Sequence, residues 1–426
     1  MTILIKNAHI IDPANKINKK GDLLIAKGKI EKLADKITAK AEEIIDAKGQ
    51  IVVPGLIDLH THLRQPGRED AEDFKTGSQA AAKGGFTSIT AMPNTSPACD
   101  NRSAVEYVIS EARRAACVNV FCVGAITMQQ QGNELTEMAD MKEAGAVAIS
   151  DDGSSVKNAQ VLRKAFEYAA MLDLPVLSHC EDKQLSQNGV MNEGFVSTLL
   201  GMRGIPNISE SAIVSRDIAL AALTNVRLHI VHVSCAESVR IIKHAKAEGA
   251  KITAETCPHY FSLTDEAVKT FNTNTKVNPP LRAESDKNAI IEAIKHGIID
   301  VIATDHAPHT EADKDVEYDI AAFGMIGLET ALSLAINELV DKKIITWDEL
   351  ITKMSYMPAR ILGLNKKGRL SPGADADIVI IDPDKKWIFG KQTIVSKSKN
   401  SPFIGREFKG AAATTICSGK IVYSNK

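Results

Sequence analysis

His60, His62 and Arg64 stand at alternate positions in "GLIDLHTHLRQPG", at the end of the apolar run "IVVPGLIDL". On a strand, side chains two apart share one side, so two imidazoles and a guanidinium would line one face at its carboxyl end. A packed interior tolerates such a row poorly unless something binds there. The pattern recurs along the chain. Asn94 closes "FTSITAMPN", Asp151 and Asp152 follow "GAVAIS", His179 lies in "LPVLSHC", His232 in "VRLHIVHVS", and Asp305 and His309 in "IDVIATDHAPH". Such a gathering of histidines and carboxylates, with no thiolate at comparable positions, favours zinc or a similar borderline divalent ion. Each cluster also has a plain reading: HxH as surface or satisfied core, a lone strand histidine as hydrogen-bonded structure, "DDG" as a turn. An aspartate and two histidines directly after "DVIAT" have no such excuse, and the clusters together outweigh any one of them.

The elements that must position these groups alternate. Strand-like runs at 86–94, 118–126, 145–150, 174–180, 226–234, 251–259 and 299–308 join the opening one to make eight. Between them lie stretches of helical composition such as "NRSAVEYVISEARRAA", "NAQVLRKAFEYAAML" and "ESAIVSRDIALAAL". Eight strand–helix units predict an α/β fold, a (β/α)8 TIM-type barrel, whose catalytic groups gather at the carboxyl ends of the strands. A doubly wound open sheet fits the same alternation, but no GxGxxG turn follows the early strands. Residues 1–54 and 366–426 instead show short period-two runs broken by Gly, Asn and Asp, which read as strands. Both ends are therefore expected to build one small β-sandwich domain beside a barrel spanning 55–365.

Composition narrows the partners. The 426 residues carry 51 Lys plus Arg against 53 Asp plus Glu, a net charge of −2, and 4% aromatics. That balance offers no electrostatic footprint for nucleic acid or an anionic membrane, and the aromatics are too sparse for a base-stacking surface. No apolar run approaches the ~20 residues of a membrane helix, and the amino terminus lacks a signal-peptide pattern. Seven cysteines, an odd number without CxxC, read as reduced, mostly buried thiols, Cys180 and Cys235 among them, in a cytoplasmic protein. Of the remaining histidines, His244 and His296 are expected to be solvated, His229 to face the helices, and His306 to point away from Asp305. His9 belongs to the β domain, and His259 suits a structural or supporting role.

With these residues assembled, "PGLIDLHTHLRQPG", "GGFTSITAMPNTSP", "SHCED", "HVSCAESV", "ETCPHYF", "VNPPLR", "ATDHAPHT" and "GRLSPGADADIVIID" resemble the dihydroorotases of the amidohydrolase superfamily, in their longer bacterial type I form. The resemblance runs nearly end to end. It implies that His60, His62 and Asp305 hold one Zn2+, while His179 and His232 hold a second. Many superfamily members bridge the two with a carbamylated lysine on the fourth strand. Here "AGAVAISDDGSS" has no lysine before Lys157, and the motif favours Asp152 over Asp151 as the bridge. One or two zinc ions per subunit follow, one held tightly and the second more weakly.

The implied activity is that of a zinc-dependent cyclic amide hydrolase, interconverting L-dihydroorotate and N-carbamoyl-L-aspartate in the third step of de novo pyrimidine biosynthesis. Asp305 would be the catalytic proton carrier. Arg64 offers the planar fork that suits the substrate carboxylate. The resemblance adds Asn94 and His309 as further carboxylate anchors, His62 and Asn278 at the ring, and the backbone around Phe323 and Gly324. The polar stretch 310–322 would be a mobile loop over the mouth. It also implies a homodimer, with aspartate transcarbamoylase as a possible associate. Dihydropyrimidinase, hydantoinase and allantoinase are rival readings, set back by Arg64, Asn94 and the missing bridging lysine. A catalytically silent scaffold is set back by the complete histidine set.

Overall fold

All eight apolar runs form strands in the computed structural model, which describes residues 1–425. Lys426, the last residue of the expected carboxyl-terminal segment, lies outside the described residues. The strands are Leu56–Thr61, Phe86–Ala91, Asn119–Gly124, Ala148–Ile149, Val176–Ser178, Leu228–Ile230, Ile252–Thr256 and Val301–Ile302. They pair in parallel and in chain order.

The eighth strand then returns to the first. Thr61 bridges His306 in parallel, and the His62 N–H donates to the His306 carbonyl at 2.8 Å. Just below, Asp58 Oδ1 accepts from the backbone N–H of Thr304 (3.1 Å) and of His60 (3.0 Å). Sequential pairing with this closure makes a barrel and rules out the open doubly wound sheet.

Helices form between the strands for local reasons. Asp73, Asn101 and Asn158 cap the helices Phe74–Lys83, Arg102–Ala115 and Ala159–Met171 by accepting backbone N–H groups of the first turn. Helix Arg102–Ala115 buries Val105, Val108 and Ala112, one stripe at helical spacing, and leaves its charged residues outside. Leu59, Val123, Ala148, Leu177, Val301 and Ala303 cluster with Ile361 and Leu362. Two elements escape the sequence pattern. The helix Met138–Ala144 is too short for a clear period. After the fifth strand, Met191–Asn192 and Gly204–Ile205 pair as a small parallel ladder around helix Phe195–Leu200.

Both chain ends share a second eight-stranded sheet. Its hinge is Ile51–Pro54, which pairs antiparallel with residues 378–381 and parallel with His9 and Ile10. Ile3, Ile5, Ile10, Leu23, Val52, Ile378, Ile380 and Ile416 form its core. Gly55 carries the chain straight from this sheet into the first barrel strand, its N–H donating to the Asp377 carbonyl at 2.9 Å. The Asp377 carboxylate meanwhile accepts from Lys367 Nζ (2.5 Å), Asn119 Nδ2 (3.0 Å) and the Ser418 N–H (2.7 Å), tying sheet to barrel.

Glycine is required by close approach at Gly84, where a Cβ would lie 2.0 Å from the Leu328 carbonyl oxygen. Because that oxygen belongs to backbone, Gly84→Ala is expected to cost about 1–3 kcal/mol. Urea unfolding of the variant beside the parent measures it.

Candidate metal centre and active site

The ends of five barrel strands bring six side chains into one buried cluster. His60 Nε2 lies 3.3 Å from Asp152 Oδ1 and 3.6 Å from Asp305 Oδ1. His62 Nε2 is 3.1 Å from Asp305 Oδ1 and 3.4 Å from Asp152 Oδ2. On the far side, His179 Nδ1 is 3.3 Å and His232 Nε2 3.6 Å from Asp152 Oδ1, and these two imidazole nitrogens are 2.8 Å apart. Asp152 thus faces both histidine pairs. Asp151 turns away: its Oδ1 accepts from the backbone N–H groups of Ile126 (2.8 Å) and Thr127 (3.1 Å), and Oδ2 accepts from the Thr127 hydroxyl.

This donor set fits a divalent metal ion. His60 Nε2 and Asp152 Oδ1 are buried without a hydrogen-bond partner, an arrangement that costs free energy unless a ligand sits between them. Two groups, His60–Asp152–His232 and His60–His62–Asp305, each bring their ligand atoms within 4.8 Å of one another. Nitrogen and carboxylate donors without sulfur are those of zinc and its neighbours.

Electrostatics explain how the cluster persists before an ion enters. Burial works against an imidazolium at His60, yet Asp152 and Asp305 overcome it and raise its pKa well above the usual value. His179, equally opposed by burial, is pushed up to about 9 by Asp152 and Glu181. Burial should raise Asp152 and Asp305, but the surrounding imidazoles hold both below the ordinary carboxylate range. In the metal-free site His60 and His179 are therefore held as imidazoliums beside ionised Asp152 and Asp305.

Beside the cluster lies a polar corner. Arg64 Nε donates to the Pro308 carbonyl at 3.0 Å, and its Nη2 is 3.3 Å from His309 Nε2. Burial lowers Arg64 to about 10, leaving it cationic at neutral pH. Burial and the cations of Arg64 and Lys314 lower His309 to about 3, so it is neutral there. Asn94 Oδ1 accepts from His62 Nδ1 at 2.8 Å, which turns the Nε2 of His62 toward Asp305. Asn278 Nδ2 donates to Glu181 Oε2 at 3.0 Å, next to His179.

Phe323 offers its carbonyl to His309 Nε2 at 2.8 Å. Gly324 is close by, with a Cβ there meeting His309 Cδ2 at 3.1 Å, but its N–H already donates to the Lys276 carbonyl and its own carbonyl accepts from Asn400 Nδ2. A cavity of about 890 Å³, lined by Glu181, Lys183, Arg203, Asn278, Asp319 and Phe323, opens beside the cluster. Residues 310–322, expected as a mobile loop, are folded here. They contain the one-turn helix Glu311–Lys314 with a Thr310 capping box, and Lys314 Nζ donates to the carbonyls of Thr273 (3.0 Å) and Ala322 (2.6 Å).

One expectation fails. His229 does not face the helices: its Nε2 is 3.1 Å from Glu255 Oε2, and Glu255 Oε1 reaches His60 Nδ1 at 2.9 Å. Counting parity back from His232 misleads because the strand stops at Ile230 and His232 has φ +38°. Arg64 (φ +60°) and Asp305 (φ +49°) are also left-handed, a strained backbone that clusters at functional sites. His244 and His296 are exposed, and His306 Nδ1 accepts from the Gly327 N–H, away from the cluster.

Sequence reasoning missed Glu255, Glu181 and Asp58. The first was legible as a lone acid inside the apolar run "KITAETC", and the second as a carboxylate two residues after His179.

A parallel barrel carrying an HxH strand and further histidines on its fifth and sixth strands defines an amidohydrolase. The dihydro-orotase-like family model matches residues 49–238, and the amidohydrolase family model residues 224–423. The chain is 53% identical to the dihydroorotase of Pelotomaculum thermopropionicum, covering 100% of this chain and 99% of that one. It is 50% identical to the dihydroorotase of Pelobacter propionicus, covering 99% and 100%. Among solved structures it superposes on the L-hydantoinase of Arthrobacter aurescens with a TM-score of 0.90 at 26% identity, covering 99% and 96%. It superposes on the dihydropyrimidinase of Brevibacillus agri with a TM-score of 0.88 at 26% identity, covering 100% and 96%. The chain belongs to the dihydroorotase family.

Two predictions follow from this geometry. Asp152→Asn should deplete bound metal, whereas Asp151→Asn should keep the metal and lower the unfolding temperature, as metal analysis and calorimetry will report. Metal uptake must also expel protons. His179 is protonated below about 9 in the metal-free protein, so affinity for a divalent ion should rise with pH up to and through that value. Chelator competition across that range measures the slope.

Proposed function

We propose that this chain is a dihydroorotase whose metal ion is zinc, held by His60, His62 and Asp305 at one position and by His179 and His232 at a second, with Asp152 between them. The observation that carries the reading is the juxtaposition of this buried cluster with the Arg64–His309 corner, 3.3 Å across. When bound, zinc supplies Lewis acidity toward the ring carbonyl and lowers the pKa of the attacking water.

The chain's own residues do the rest. Arg64 presents its fork to the substrate carboxylate, and neutral His309 lets that guanidinium approach without a second cation. Asn94 holds His62 in the tautomer that faces Asp305. Asp305, kept ionised by the imidazoles around it, takes the proton of the water as it attacks the ring amide carbon. It returns that proton to the ring nitrogen as the carbon–nitrogen bond breaks, giving N-carbamoyl-L-aspartate, and the reverse order closes the ring. Asn278 and the Phe323–Gly324 backbone border the place left for the ring. An uncharged ring, as in the hydantoinase and dihydropyrimidinase neighbours, has no carboxylate to meet Arg64.

The same reading carries a cytoplasmic enzyme, supported by reduced cysteines and by the absence of any helix long and apolar enough to cross a membrane among the described residues. A homodimer, with aspartate transcarbamoylase as an associate, extends the reading and is tested by light scattering with and without that enzyme.

The test is an ultraviolet assay of the zinc-loaded protein on L-dihydroorotate, dihydrouracil, hydantoin and allantoin. Turnover of the first alone is expected. Asp305→Ala should lower kcat by about 10²- to 10⁴-fold. Arg64→Ala should act mainly on KM for dihydroorotate. Ring opening of the uncharged compounds by the parent would refute the carboxylate clamp.

A further inference from the structure

Two buried carboxylates stand behind the cluster without facing its centre. Glu255, 0% exposed, takes His60 Nδ1 on Oε1 at 2.9 Å and His229 Nε2 on Oε2 at 3.1 Å, and His229 Nδ1 continues to Thr253 Oγ1 at 2.8 Å. Both of its oxygens are committed, so its own rotamer is fixed from two directions. Glu181, 7% exposed, takes His179 Nε2 on Oε2 at 3.1 Å. Its Oε1 accepts from Ser186 Oγ at 2.6 Å, while Oε2 also meets Asn278 Nδ2 at 3.0 Å and Lys183 Nζ at 2.5 Å. Each carboxylate therefore backs one imidazole from opposite sides of Asp152.

We infer that Glu255 and Glu181 are separate positioning residues for the two metal positions, Glu255 serving the His60 side and Glu181 the His179 side. The inference rests on the proposed metal reading. An imidazole has one proton and one lone pair when neutral, so the group that accepts its N–H decides which nitrogen faces the ion. Glu255 fixes the His60 proton on Nδ1, leaving the partnerless Nε2 to face the metal position. Glu181 fixes the His179 proton on Nε2, leaving Nδ1 toward Asp152 and His232.

The environments differ in a way that separates their effects. Among the described residues Glu255 pairs with His60 and His229 and with no lysine or arginine, and it does not line the cavity. Glu181 lines that cavity and shares its oxygen with Asn278 and Lys183, so it also reaches the substrate side. Glu255 should act on metal retention alone, and Glu181 on metal retention and KM.

Glu255→Gln and Glu181→Gln keep shape and lose charge. Their zinc affinities, measured per chain by chelator competition, are to be read beside the unfolding temperature of each metal-free protein and KM of each zinc-saturated one. Glu255→Gln is expected to weaken the His60–His62–Asp305 position, expected as the tighter of the two, about 10–100-fold with KM unchanged. Glu181→Gln should spare that position, weaken the second by a similar factor and raise KM. Histidine 15N shifts of the zinc-loaded protein supply a second readout, in which the His60 Nδ1–H signal moves only in Glu255→Gln. Should Glu255→Gln fail to fold, His229→Asn, which frees one Glu255 oxygen, must give the same selective loss at the tighter position. Equal weakening at both positions, or unchanged affinities, overturns the inference while leaving the metal reading intact. A fall in metal-free unfolding temperature without selective zinc loss also overturns it. A parent protein that binds no zinc overturns both.

Discussion

The seam between the first and last barrel strands is the constraint on which the site depends. Closing a parallel barrel leaves no free edge, so every backbone group along that seam must find a partner in a place water does not reach. The chain meets this with the His62 N–H on the His306 carbonyl and with Asp58 accepting from both Thr304 and His60. Burial raises Asp58 to about 7, and those bonds work against the rise. The seam falls where HxH and Asp305 emerge, so the act of closing the barrel sets these groups against each other.

Burying this many ionisable groups is tolerable only because they compensate one another. A lone buried carboxylate or imidazolium would shift its pKa until neutral. Here Asp152 and Asp305 stay ionised because imidazoles surround them, and His60 and His179 stay protonated because the carboxylates are near. An entering cation replaces protons rather than filling an apolar hole. Outside the cluster the opposite device operates: His309 is kept neutral beside Arg64, so one fixed positive charge, and not two, marks the corner.

Much of this is written locally in the chain. Alternating apolar runs, side-chain caps such as Asp73 and Asn101, and polar residues ending consecutive strands specify the barrel and name its mouth, because each depends on short-range periodicity. The choice of Asp152 over its neighbour rests on resemblance, and in the structure Asp151 is spent on the backbone of Ile126 and Thr127. Features that depend on where a strand stops are less legible. His229 is the clear case, since a left-handed His232 resets the parity that an unbroken strand would keep. Glu255 and Glu181 were hidden for a related reason: their meaning lies in partners contributed by other strands. The ordered turn at 311–314 hides behind its polar composition, which says nothing about Lys314 reaching inward to backbone carbonyls.

The sheet built from both termini has a consequence for biogenesis. The strand that runs directly into the HxH segment is held by residues 378–381, more than three hundred positions away, and by few partners closer in sequence. Contacts of such separation form late, because the entropy of closing the intervening loop must be met first. During synthesis the first histidine pair emerges long before the strand that anchors its base or the aspartate that faces it. The full donor set cannot come together before Asp305 has been made, and the base of the strand that carries the first histidine pair gains its antiparallel neighbour only once residues 378–381 have followed.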